Sequence, residues 1–106
     1  MCEYDEVDGV IEAWVNRLGS TLFKGWAGKP ARFFYLQGNK ARDCFMVTIF
    51  PPDHGRLYVR AGSVDTADGA EMLQGWEGPA NDLDALLNKA TSAVQKWKER
   101  PQARFA

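Results

Sequence analysis

Residues 44–50 read Cys-Phe-Met-Val-Thr-Ile-Phe, and as a strand this stretch has no polar face. Successive side chains of a strand point to opposite faces, so a sheet with one wet side should alternate apolar and polar residues. Here the odd positions are Phe45, Val47 and Ile49, and the even ones are Cys44, Met46, Thr48 and Phe50. Only Thr48 is polar. Both faces of the strand are therefore expected to be covered, by the chain itself or by a partner.

The flanking sequence sets this strand in a meander. Residues 32–37 read as a first strand, Gly38-Asn39-Lys40 as a turn, and residues 41–50 as the second strand, closed by Pro51-Pro52-Asp53-His54-Gly55. Residues 56–64 form a third strand, 65–69 a turn and 70–77 a short fourth. Turns this short suit antiparallel hairpins.

Both ends of the chain change period. Tyr4, Val7, Val10, Ile11, Trp14, Val15 and Leu18 recur at three- and four-residue steps, the pattern of an amphipathic helix. Asp5 is its expected cap and Gly19 its expected stop. The period continues through Leu22 and Trp26, so residues 20–26 read either as more helix or as a short extra strand. Near the other end, Asn81 caps a second helix whose stripe is Leu83, Leu86, Leu87, Ala90, Val94 and Trp97. Lys96, Lys98 and Arg100 charge its end, and Pro101 stops it. The expected fold is α+β: a two-layer sandwich in which a four-stranded antiparallel meander is flanked by N-terminal and C-terminal helices. Residues 1–106 read as one domain, with 102–106 a loose tail.

Composition supports a folded, soluble class. Of 106 residues, 45% are hydrophobic and 25% charged, and no apolar run approaches the ~20 residues of a membrane span. The first residues are acidic where a secretory signal is basic and then apolar, which leads to a cytoplasmic expectation. Cys2 and Cys44 lack CxxC spacing and are expected to be free thiols. The net charge of −1 hides blocks: acids gather at the starts of both helices, and a basic block falls on the strands.

Sites with recognisable chemistry are missing. His54, beside Asp53, is the sole histidine, and an apolar-strand Cys44 is an unpromising nucleophile for it to activate. One His and two distant Cys do not make a zinc site. Gly-Trp-Ala-Gly-Lys at 25–29 fails the phosphate-loop pattern at Phe23 and Pro30. The turn at 65–69 lacks the alternating acids and distant Glu of a calcium loop. The strand at 43–50 lacks the Gly-aromatic-Gly signature of an RNA-recognition strand. No catalytic residue, metal ligand or cofactor is expected, and the chain reads as non-enzymatic.

Parity then sorts the strands into two faces. Phe45, Val47, Ile49, Leu57 and Val59, with Phe34, Leu36, Met72 and Trp76, form the set expected to meet the helices. The other face carries Phe33, Tyr35, Gln37, Cys44, Met46, Thr48, Phe50, Tyr58, Arg60 and Leu73. Tyr, Phe, Met and Arg are enriched in protein interfaces. Phe33, Tyr35, Met46, Thr48, Tyr58, Arg60 and Leu73 are the candidate residues for binding a protein partner, most simply a second copy of this chain. The competing structural expectation is closed packing, with the helices on opposite faces. A small-ligand pocket involving Trp26, Tyr58, Arg60 and Trp76 is the alternative function, and single-stranded nucleic acid is third.

Overall fold

The computed structural model describes residues 4–38, 44–64 and 72–99. The elements run α1 (Asp8–Leu18), β1 (Phe23–Trp26), β2 (Lys29–Gln37), β3 (Cys44–Ile49), β4 (Arg56–Val64), β5 (Leu73–Pro79), a 3-10 turn (Ala80–Asp82) and α2 (Leu83–Lys98). The sheet is antiparallel throughout, in the order β1-β2-β3-β4-β5. The α+β two-layer arrangement is as expected, with five strands in place of four.

The fifth strand is β1, the second of the two readings of residues 20–26. Gly19 takes a left-handed φ of +70° and its N–H returns to Asn16, so α1 stops there although the apolar period runs on. Ala27 and Gly28 both have positive φ, at 54° and 82°, between the paired Trp26 and Lys29. That is the mirror-image two-residue turn whose twist matches paired strands. It folds β1 back along β2 and makes β2 begin at Lys29. The same device closes β3 on β4: His54 and Gly55 have φ of 54° and 77°, and Asp53 and Arg56 exchange backbone hydrogen bonds of 2.7 and 3.0 Å. His54 is thus a turn residue, its side chain 93% exposed.

Both helix starts differ from expectation. Asp5 does not cap α1: residues 4–7 form a turn, with the N–H groups of Val7 and Asp8 both donating to the Tyr4 carbonyl, and the helix begins at Asp8. Asn81 lies within the 3-10 turn, so Asp82 occupies the position before α2, with no side-chain capping bond. β5 spans Leu73–Pro79, two residues beyond the expected end. The expected turn residues Asn39 and Lys40, the strand residues 41–43, the turn at 65–69, the strand start at 70–71, Arg100, Pro101, the 102–106 tail and Cys2 lie outside the described residues.

Both helices pack on one face of the sheet. Ile11 and Val15 of α1, and Leu83, Leu86, Leu87, Ala90 and Val94 of α2, join Phe34, Leu36, Phe45, Val47, Ile49, Leu57, Val59 and Ala61 in one core. All of these strand members but Ala61 belong to the set that parity assigns to the helices; of the rest of that set, Met72 joins the core and Trp76 packs against it. Trp97 stacks on Phe45 at 5.9 Å, and the Trp14 indole N–H donates to Asp84 at 2.6 Å, joining the two helices.

A buried ion pair fastens the start of α1 to the sheet. Arg32, opposite Ile49 on the helix side, donates to both oxygens of Asp8 at 2.6 and 3.0 Å. It also donates to the carbonyls of Lys24 and Ala31 at 3.1 and 2.7 Å, and lies 4.4 Å from the Tyr4 ring. The Tyr4 hydroxyl in turn donates to the Ile49 carbonyl at 2.9 Å. The hydrogen bond from Arg32 holds the Asp8 carboxyl below its ordinary range, against the opposing effect of burial.

Candidate functional site

With both helices on one side, no helix among the described residues lies over the opposite face. Strand register lays out its rows. Phe23, Phe33, Thr48, Arg60 and Gly75 follow one another across all five strands. Tyr35, Met46, Gly62 and Leu73 form the next row, and Gln37, Cys44 and Val64 the one beyond. Every residue that parity placed on this face lies in these rows or, for Phe50 and Tyr58, beside them: the Phe50 N–H donates to the Tyr58 carbonyl at 2.9 Å.

Two aromatic groups stand on the face. At the β1 side, Phe23 stacks on Phe33 with centroids 5.2 Å apart, and Trp26 and Tyr35 meet Phe33 edge-on at 5.9 Å. This cluster reduces Phe33 to 7% exposure while leaving Trp26 at 68%. Across the sheet, Phe50 and Tyr58 pack at 5.4 Å, and the Arg60 guanidinium lies 5.2 Å from the Phe50 centroid.

Between the two groups runs a groove of about 470 Å³, lined by Trp26, Ala31, Phe33, Tyr35, Met46, Thr48, Phe50, Arg60 and Val64. A smaller depression of about 280 Å³ shares Met46, Thr48, Arg60 and Val64 with it and continues to Leu73, which is 62% exposed. The groove exists because its sides carry large rings while its ends carry Ala31 and Val64. Of the nine described residues that line it, Arg60 alone is charged.

The structure brings Phe33, Tyr35, Met46, Thr48 and Arg60 together in this groove, with Tyr58 packed behind Phe50 and Leu73 at the far edge. Of the four residues of the ligand-pocket alternative, Trp26 and Arg60 line the groove. Trp76 is paired with Val59, packs against the core on the helix side and lines a separate cleft with Lys89, Lys96 and Trp97. It is not brought together with Trp26 and Arg60. Phe23, Ala31 and Val64 are parts of the face that sequence reasoning did not single out. Ala31 and Val64 share the parity of Tyr35 and Arg60, a signal already present; Phe23 joins only once β1 is a strand.

Other combinations of chemical groups stay apart. Cys44 opens β3 and His54 lies past its far end, so the length of that strand, about 20 Å at ~3.3 Å per residue, separates them. The His54 Nδ1 is 3.0 Å from an Asp53 oxygen, and both side chains are in water. Among the described residues, no group of three or more His, Cys, Asp or Glu is placed to hold a metal, and no helix is long and apolar enough to cross a membrane. Scanned against protein-family models, curated proteins and solved structures, the chain gave no match.

Proposed function

We propose that this chain is a non-enzymatic binding domain whose sheet face opposite the two helices docks a partner protein. The observation that carries the reading is the set of exposed apolar side chains at both edges of the sheet and on β4: Phe23 and Trp26 on β1, Tyr58 on β4 and Leu73 on β5. Trp26 on β1 and Leu73 on β5 belong to opposite edge strands, about 19 Å apart at ~4.8 Å per strand spacing. A contiguous apolar surface of this kind tends to mark a contact site. A protein surface covers both edges at once and sets an anchor side chain in the groove between them.

The groove itself favours a second reading, a small ligand held among Trp26, Phe33, Met46 and Phe50. Its volume of about 470 Å³ falls within the usual ~300–1,000 Å³ range of ligand sites. Such a ligand leaves Leu73 and most of Trp26 in water, which is why the protein reading is preferred.

Site-specific photocrosslinking in cells separates these readings. A photoreactive residue at position 73 is expected to give a discrete protein adduct that Met46→Glu abolishes, while one at the exposed helix position 13 gives none. Equal crosslinking from both positions would count against the docking face. Native mass spectrometry showing a bound small molecule, with no protein adduct, would favour the ligand reading instead.

A further inference from the structure

The polar groups in the groove specify the chemistry of what docks there. Arg60 has no carboxylate partner among the described residues; its charged end rests on the Phe50 ring. Thr48 sits directly across from it, and Tyr35 lines the same groove. The hydroxyls of Thr48 and Tyr35 form no hydrogen bond with any described residue. A guanidinium donates only, and both hydroxyls can donate. Among the described residues no carboxylate lines the groove, so these donor side chains stand over an apolar floor without an acceptor-only group among them.

Covering this site with a purely apolar surface takes the Arg60 charge out of water with nothing to replace its hydration. A second copy of the chain meets the need poorly. Among the described strand residues Glu77, at the β5 edge, is the one acid, and Arg56 already lies 3.5 Å from it.

Resting on the docking reading above, we infer that the partner is a different protein that places an acidic side chain, flanked by an aromatic or aliphatic one, in this groove. The carboxylate receives hydrogen bonds from Arg60 and its cross-strand neighbour Thr48, and the apolar neighbour lies between Phe33, Met46 and Phe50. Charge complementarity chooses the acid, and the ring-lined walls choose its neighbour.

The test is selection of displayed random 12-residue peptides on the intact wild-type chain, followed by affinity measurement with synthetic copies. Selected peptides should share an Asp or Glu within two positions of an apolar residue. Replacing that acid by its amide should weaken binding at least about tenfold, the scale of a lost charge-assisted hydrogen bond. Arg60→Gln should weaken the same peptides equally, with little further loss when both changes are combined; Arg60→Lys should retain part of the affinity. Circular dichroism checks that each variant is folded. Peptides that Met46→Glu abolishes but that tolerate both Arg60→Gln and the amide would overturn the acid requirement and leave the docking face standing. Peptides indifferent to Met46→Glu, or a library that yields no binder, would count against both. A concentration-dependent dimer that Met46→Glu dissociates would overturn the choice of a different protein.

Discussion

The Tyr58 ring lies across Gly75, its neighbour one row along on β5, in space that any β-carbon at position 75 would occupy. Gly75 thereby lets Tyr58 lie down on the sheet, where it packs on Phe50 beside Arg60. The height of the groove's β4 wall thus depends on a missing side chain on the next strand.

Gly75→Ala is expected to push the half-exposed Tyr58 ring off the sheet and to destabilise the fold by no more than about 1 kcal/mol, because the displaced ring can swing into solvent. In a Tyr58→Ala background the same change should cost much less, because the ring it collides with is gone. Urea unfolding of the four proteins of this double-mutant cycle measures the coupling. Additive effects would mean that ring and glycine do not meet.

The Asp8–Arg32 pair predicts an acid-sensitive contribution to stability. The folded-state pKa of Asp8 lies below its ordinary value of 3.8, chiefly through the hydrogen bond from Arg32. A depressed carboxyl contributes stability that is fully present above the unfolded value and is lost as pH falls through the folded one. The pair should therefore act undiminished from neutral pH to about 4 and fade in more acid solution. Asp8→Asn removes this charge-assisted pair and should cost about 1–3 kcal/mol at pH 7, with a flatter acid limb. Unfolding midpoints measured between neutral and strongly acid solution check both parts; an acid limb unchanged by the substitution would contradict them.

The two sheet faces should respond in opposite ways to truncation. Phe45 is fully buried under Trp97, so Phe45→Ala should cost about 3–5 kcal/mol. Leu73, on the open face, should tolerate Ala within about 0.5 kcal/mol. A large penalty at Leu73 in the isolated protein would mean that the face is already covered, and would remove the basis for docking.

Much of the fold and of the face is legible in the order of the amino acids. The run Cys44–Ile49 alternates buried and part-buried side chains, as its parity requires, because the strand period of two leaves each side chain one choice of face. The same rule applied to the neighbouring strand separates Phe34 and Leu36, which meet the helices, from Phe33 and Tyr35, which line the groove. Helix starts are less legible. Asp5 and Asn81 have side chains suited to capping, yet tertiary packing places each one turn or less outside its helix.

What the amino-acid sequence determined by itself is the set of local periods: which stretches are helix, which are strand, and which side chains share a face. Only the tertiary structure decided that residues 23–26 join the sheet, that both helices lie on the same side, and that Arg32 is buried against Asp8 while Arg60 stands over an open groove. The two arginines show the physical reason. Both are basic residues in strands, and parity assigns them only to different faces; whether either is paired depends on a carboxylate from elsewhere in the chain, as Asp8, 24 residues away, meets Arg32. Period is a property of neighbours along the chain, whereas burial, pairing and the depth of a groove belong to neighbours in space.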